Sequence, residues 1–226
     1  MPGVIENNEV LTLSPSQRNA YNAAILEYSK KKNDIGFLAL FNKLRALCDV
    51  EPHSGASSKV DRIVELLTDI ATVREKVVVF SYILEPLRLL GRRIAAEIPD
   101  IGYAILTGEM TLAERATALE NFKTKETCTT LLASTRVASE GLNLTEANHV
   151  IFINRWWNPS ANAQARDRVV RIGQSRLVHV KTFTCKNTVE ERLEDLFEKK
   201  STTFRELIEA LATSTNTVDR KFLSLA

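Results

Sequence analysis

Cysteine is scarce in this chain: three in 226 residues, Cys48, Cys128 and Cys185, far apart and without a Cys-x-x-Cys pair. That distribution argues against both a zinc module and a disulfide framework, and fits a reducing, intracellular compartment. Long apolar runs are missing as well. No segment approaches the ~20 residues of a membrane span, and the N-terminal Met1-Pro2-Gly3-Val4-Ile5 carries no basic stretch ahead of an apolar one, so the sequence reads as soluble and not secreted. Charge of one sign is almost absent: 30 Lys and Arg against 28 Asp and Glu leave +2, and any surface for nucleic acid must be local. No glycine is followed by lysine and no Asp-Glu dipeptide occurs, which excludes a Gly-Lys-Thr/Ser phosphate loop and the acidic Mg²⁺ motif that accompanies it. There is no Gly-x-Gly-x-x-Gly for a dinucleotide and no Gly-x-Ser-x-Gly elbow for a nucleophilic serine. The three histidines, His53, His149 and His179, have no acid or cysteine at ligand spacing, so they read as structural and no metal site is expected.

What is present suits a folded core: 44% hydrophobic and 26% charged residues, enough for one main domain with accessory helices. Ser14-Pro15 opens a helical stretch with Tyr21, Ala24, Ile25 and Tyr28 at helical spacing. After the Lys30-Lys31-Lys32 run a second stretch carries Phe37, Leu40, Phe41, Leu44 and Cys48 on one stripe. The two form a helical hairpin. The polar, turn-rich segment 51–58 marks a boundary. Ser58 to Asp61 has capping-box-like spacing ahead of a helix with Ile63, Val64, Leu67 and Ile70. Beyond it, short β-branched runs at Val77–Phe80, Tyr103–Leu106, Thr130–Ala133, Val150–Ile153 and Val178–Phe183 alternate with helical stretches, including Leu84–Ile98 and Leu112–Phe122. Continuous apolar runs of that length suit strands buried on both faces, so the fold class is α/β, a three-layer parallel sheet with right-handed crossovers. A charged amphipathic helix with Leu193, Leu196 and Phe197 begins at Thr188, and another helical piece contains Phe204, Leu207 and Ile208. Three parts follow: a helical segment over 1–57, the α/β lobe over 58–200 and a C-terminal helical tail over 201–226.

The most informative stretch runs from Gln164 to Gln174. Asn158 caps and Pro159 begins a helix, Gly173 stops it, and inside it Gln164, Arg168 and Arg171 share one face beside an apolar stripe of Ala165, Val169 and Ile172. Such a helix docks by its apolar side and projects two guanidinium forks and an amide toward a cleft, a pattern suited to a phosphate chain. Arg155, Arg166, Arg168, Arg171 and Arg176 make this the one pronounced basic cluster, interrupted only by Asp167. Ligands of open parallel sheets collect beyond the carboxyl ends of the strands. Ser81-Tyr82, Thr107-Gly108-Glu109, Ser134-Thr135-Arg136 and Asn154-Arg155-Trp156-Trp157 are therefore expected on one rim. Of the tryptophans, Trp157 is expected outward and Trp156 in the core. Ser134-Thr135 also suits a helix N-cap.

These blocks, taken in order, resemble the Swi/Snf-type DNA translocases, the chromatin-remodelling branch of the superfamily-two helicases. Val77 to Ser81 looks like their motif IV, and Leu106-Thr107-Gly108 with Arg115 and Phe122 resembles their Asp-Gly-Ser/Thr segment. Ser134 to Leu144 is similar to motif V, and Trp157-Asn158-Pro159 with Gln164 to Gln174 to motif VI. Leu13 to Arg18, Leu44 to Cys48 and Thr188 to Arg192 are similar to the flanking segments. The match covers roughly residues 11 to 200 and is specific in combination.

The resemblance implies a RecA-like second lobe of a two-lobe, DNA-dependent ATPase, nuclear, acting on duplex DNA and possible nucleosomal targets. ATP and Mg²⁺ would be held by a first lobe that these residues do not contain. Arg168 and Arg171 would be arginine fingers assisted by Gln164, Gly141 and Asn143 would approach the nucleotide, and Ser81, Thr107, Gly108, Ser134, Thr135 and Trp157 would face the DNA backbone. On this reading the chain alone turns over no ATP. Two departures stand out: Ala138-Ser139-Glu140 where the family has a glycine-rich run, and Tyr82 where glutamine is common. They motivate the alternative of a truncated or degenerate, non-catalytic DNA- or protein-binding module.

Overall fold

The computed structural model describes residues 2–30, 37–138, 141–156 and 159–198. Their elements run β1 (Val4–Leu11), α1 (Pro15–Lys30), α2 (Phe37–Asp49), α3 (Ser58–Thr72), β2 (Val77–Ser81), α4 (Leu84–Glu97), β3 (Gly102–Leu106), α5 (Leu112–Thr124), β4 (Cys128–Ser134), α6 (Thr135–Ala138), β5 (His149–Phe152), α7 (Pro159–Arg166), β6 (Val178–Cys185) and α8 (Val189–Glu198). They fall into two compact units, one within Met1–Glu9 and Lys59–Phe183, the other within Val10–Ser58 and Thr184–Ala226.

In the first unit the β-branched runs form the sheet, in the order β1-β6-β5-β2-β4-β3. The pairings of β2 with β4 and β5, of β3 with β4 and of β5 with β6 are all parallel. β1 is parallel to β6 too, since Val178 N–H donates to Gly3 and, eight residues on, Lys186 N–H donates to Leu11. Parallel pairing demands crossovers, and α4 and α5 supply them. Alternate strand residues face opposite layers. Val78, Phe80, Leu106, Leu131, Ala133, Val150 and Phe152 join Ala118 and Phe122 of α5, Val137 of α6, and Ala165 and Val169 in one core. Val77, Val79 and Leu132 are buried on the opposite face, and α4, which packs on β2, β3 and β4, buries Leu87, Leu90 and Ile94. The result is a helix–sheet–helix sandwich.

Local signals explain the helix ends. α5 opens with a reciprocal capping box, Thr111 accepting from the Glu114 N–H and Glu114 from that of Thr111. The proposed Ser58–Asp61 box does not form in that way. Since α3 begins at Ser58, the serine is already helical; its hydroxyl donates to Gln17, and Asp61 pairs with Arg93 at 2.7 Å.

In the second unit α1 and α2 make the expected hairpin. Tyr21, Ala24, Leu40, Phe41, Leu44 and Cys48 are buried with Val189 and Leu193 of α8. Gln17, fully buried, donates to the carbonyls of Leu47 and Cys48 and so closes the end of α2.

The strand β1 was not anticipated. Its Val4, Ile5 and Val10 are exposed and separated by Glu and Asn, because an edge strand needs no continuous apolar face. The expected helical piece with Phe204, Leu207 and Ile208, the side chains of Leu196 and Phe197, and Lys31, Lys32 and Glu140 lie outside the described residues.

Candidate functional site

Parallel register sets the strand ends side by side. Ser81 is opposite Ser134, Phe80 opposite Phe152 and Leu106 opposite Ala133, so the segments that follow β3, β4, β2 and β5 emerge on one edge in that spatial order. The rim therefore gathers Thr107 and Gly108, Ser134 and Thr135, Ser81 and Tyr82, and Asn154 to Trp156. Their exposures differ. Gly108 is exposed, whereas Thr107, Ser134 and Thr135 are buried but for an edge, and Ser81 is fully buried. The Ser81 hydroxyl is already engaged, donating to the Ile83 carbonyl at 2.7 Å and lying 3.0 Å from the Asn154 side-chain oxygen. That same oxygen accepts the Tyr82 N–H. Ser81 and buried Asn154 thus shape the turn that presents Tyr82.

Tyr82 meets Trp156 edge to face, centroids 5.0 Å apart. Trp156 is half-buried and its backbone is gripped twice by Asn162 of α7, at 2.8 and 2.7 Å. With Thr135, Arg136, Ala161 and Gln164 these two rings line an open pocket of about 200 Å³. The Thr135 hydroxyl is buried and makes no hydrogen bond among the described residues, which leaves a donor and acceptor beside the pocket. The sequence singled out Thr135 and Gln164 but not the pocket. Trp156, expected in the core, is instead half-buried at the rim, because Asn162 holds its backbone and Tyr82 packs on its ring; that contact joins positions far apart in the chain. Trp157 and Asn158 lie outside the described residues.

The arginine-rich stretch departs from the helix expected through Gly173. α7 ends at Arg166, and residues 167–173 form a succession of turns. One interaction marks the end of the helix: the Arg168 carbonyl, which a continuing helix would offer to the Ile172 N–H, accepts the Leu144 N–H at 3.0 Å. The proposed apolar stripe is correspondingly wrong at one position: Ala165 and Val169 are buried, but Ile172 is 92% exposed. Gly173, with φ of +104°, makes the closing turn that a side chain would strain.

The turns are stitched to the segment that precedes β5. The Gln174 amide donates to the carbonyls of Thr145 and Ala147 at 3.1 and 2.6 Å, and its oxygen accepts the Arg176 N–H at 3.0 Å. Arg171 Nη1 reaches the Leu142 carbonyl at 3.4 Å. Arg171, Gly141 and Asn143 are consequently brought together, all three exposed. Gln164 is exposed at the pocket and Arg168 is half-buried. Arg166 is different: it pairs with Glu6 at 2.7 Å and Asp167 at 3.2 Å. Burial lowers its pKa, but the two carboxylates outweigh that and hold it above its ordinary value.

Two of the three histidines meet in the sheet. His149 Nε2 lies 2.5 Å from Glu75, and its ring stacks on His179 with centroids 5.1 Å apart. Cys48 and Cys185, though 137 residues apart, meet with Glu190 in the second unit, a convergence invisible to spacing rules.

A three-layer sandwich on a parallel sheet, with a polar rim at the strand ends and a basic turn beside it, defines a RecA-like helicase lobe. Residues 58–173 match the family described as the helicase conserved C-terminal domain, and the chain belongs to it. It is 30% identical over 93% of its length to the putative ATP-dependent helicase/translocase YwqA of Bacillus subtilis, covering 24% of that protein. It is 39% identical over 56% of its length to the DNA repair protein rad8 of Schizosaccharomyces pombe, covering 11% of it. The Sulfolobus solfataricus SWI2/SNF2 ATPase core in complex with dsDNA superposes with a TM-score of 0.81 at 27% identity, over all of this chain and 51% of that one. The lobe is of the Swi2/Snf2 type. The chain spans about a quarter or less of the curated relatives it matches.

Proposed function

We propose that this chain is the second motor lobe of an ATP-driven DNA translocase, completing an ATP site whose phosphate loop and Mg²⁺ belong to a first lobe. Arg171 and Arg168 are the fingers and Gln164 assists them. Gly141 and Asn143 approach the nucleotide, and Thr107, Gly108, Ser134, Thr135 and Trp157 grip the DNA backbone, with Ser81 holding the Tyr82 turn between them. In the loose transition state charge spreads over the γ-phosphoryl oxygens, so a guanidinium arriving from a second body couples hydrolysis to closure of the two. Hydroxyls and N–H groups at strand ends hold phosphates without reading bases, so movement is indifferent to sequence.

The observation that carries the reading is the division of labour among the arginines. Arg166 is neutralised by Glu6 and Asp167, whereas Arg171 stands exposed on a turn pinned to the Gly141–Asn143 segment. The kinship with a SWI2/SNF2 core bound to dsDNA supports duplex DNA as the track, and the names of relatives that are ATP-dependent helicases support ATP with Mg²⁺ as the fuel. Relatives include bacterial and eukaryotic proteins, so a nuclear location and nucleosomal targets follow only where the host has them. Among the described residues no helix is long and apolar enough to cross a membrane. The test is complementation. A matching first lobe, fused or added, restores DNA-stimulated ATPase, and salt-sensitive DNA binding without any nucleotide effect would favour the non-catalytic module instead.

A further inference from the structure

We propose that Cys48, Cys185 and Glu190 form a binding site for a thiophilic divalent cation with the preferences of Zn²⁺. Their sulfur and carboxylate ligand atoms all lie within 4.8 Å of one another, and among the described residues no other trio of His, Cys, Asp or Glu does so. A tetrahedral ion with bonds of about 2.3 Å to sulfur and about 2.1 Å to oxygen holds its ligands roughly 3.5 to 3.8 Å apart. Closing on an ion therefore takes about an ångström of side-chain movement.

The supports are built already. Cys48 is the penultimate residue of α2, Cys185 ends β6 and Glu190 is the second residue of α8. Glu190 Oε2 accepts the Cys185 N–H at 3.0 Å, while the Thr188 hydroxyl donates to the Cys185 carbonyl at 2.7 Å and accepts the Glu190 N–H at 3.2 Å. Two of the three ligands are thus fixed on one short turn, as orientation of metal ligands requires. Both cysteines are fully buried and Glu190 is 9% exposed, so the carboxylate is the side through which an ion, carrying a water as its fourth tetrahedral ligand, reaches the sulfurs. Two sulfurs with one oxygen favour zinc-like ions over magnesium or calcium. The Cys185 thiol now faces the Cys48 carbonyl at 3.6 Å. Loading exchanges that contact for metal bonds: one M²⁺ and two thiols give a bis-thiolate complex and two released protons, with no change of oxidation state. Binding accordingly strengthens as pH rises. The ion ties the end of α2 to the start of α8.

Cobalt(II) titrated into the full 226-residue chain, metal-free and kept reduced by a non-thiol reductant, reports the site directly. The expected result is thiolate-to-cobalt charge-transfer absorption with tetrahedral d–d bands, saturating at one equivalent, bleached by Zn²⁺, and a melting temperature raised by Zn²⁺. C48S and C185S lose the thiolate band, E190Q weakens it, and C128S retains it. A folded wild-type chain with both thiols reduced and no thiolate–cobalt absorption overturns the proposal without recourse to any variant. So does a band that survives in the C48S/C185S double variant, or a Cys48–Cys185 disulfide forming in air in a chain that takes up no metal.

Discussion

Gln174 is 8% exposed and holds three hydrogen bonds: two fasten the arginine-bearing turns to residues 145–147, and the third fixes the Arg176 N–H that follows. In Gln174→Ala the Ala147 carbonyl, fully buried, loses its donor, and the half-buried Thr145 carbonyl and Arg176 N–H turn to water. A buried polar group left unmet costs about 1 to 3 kcal/mol, and the two partly wet groups add a little, so a loss of ~2 to 3 kcal/mol is expected. At a urea slope of about 2 kcal/mol/M the midpoint of the lobe's transition falls by roughly 1 M. Gln174→Glu separates hydrogen bonding from packing, because the new side chain has the same shape but sets an acceptor against two carbonyls. It should be at least as damaging at neutral pH and recover as the carboxyl protonates in acid. Urea unfolding followed by circular dichroism at several pH values measures this. A midpoint shift below about 0.2 M for both variants would refute the view that this side chain staples the turns.

Other expectations follow from single contacts. Thr111→Ala removes one half of the capping box of α5 and should lower stability by about 1 kcal/mol, whereas Thr111→Ser should keep most of it; urea midpoints separate the two. Burial holds the His149 imidazole below its ordinary pKa of 6.5 more strongly than Glu75 pulls it up. The unfolded chain therefore takes up this proton first, and stability should decline as pH falls below about 6.5, a decline that His149→Gln flattens. Stability curves of the two proteins compared across that range provide the check.

The sheet was legible because its strands are buried on both faces and so leave continuous β-branched runs. Val77 to Phe80 and Thr130 to Ala133 stand in the strands where such runs place them. β1 was not legible, for the opposite reason: Val4, Ile5 and Val10 at an exposed edge are too dilute to signal a strand. Helical periodicity carried Ala165 and Val169 correctly into the core and then misled. Nothing local reveals that the Arg168 carbonyl will take the Leu144 N–H and end the helix, or that Ile172 will face solvent. The rim could be foreseen from strand ends alone. The pocket could not, since Tyr82, Thr135, Trp156 and Gln164 converge only through parallel register and the grip of Asn162 on Trp156. The Thr111–Glu114 box has the Thr-x-x-Glu spacing of a capping box, whereas the gathering of Cys48, Cys185 and Glu190 has no signature along the chain at all.

The most direct test compares two arginines five residues apart in a complex with a matching first lobe, measured as DNA-stimulated ATP hydrolysis. Arg171, exposed and held by one long hydrogen bond, should on replacement by alanine leave the fold intact and lower turnover by roughly 10³ to 10⁵. Arg166, bound to Glu6 and Asp167, should on the same replacement leave turnover within a few-fold of the parent. Equal turnover by the Arg171→Ala protein, or a loss as large in Arg166→Ala, would contradict the assignment of the finger.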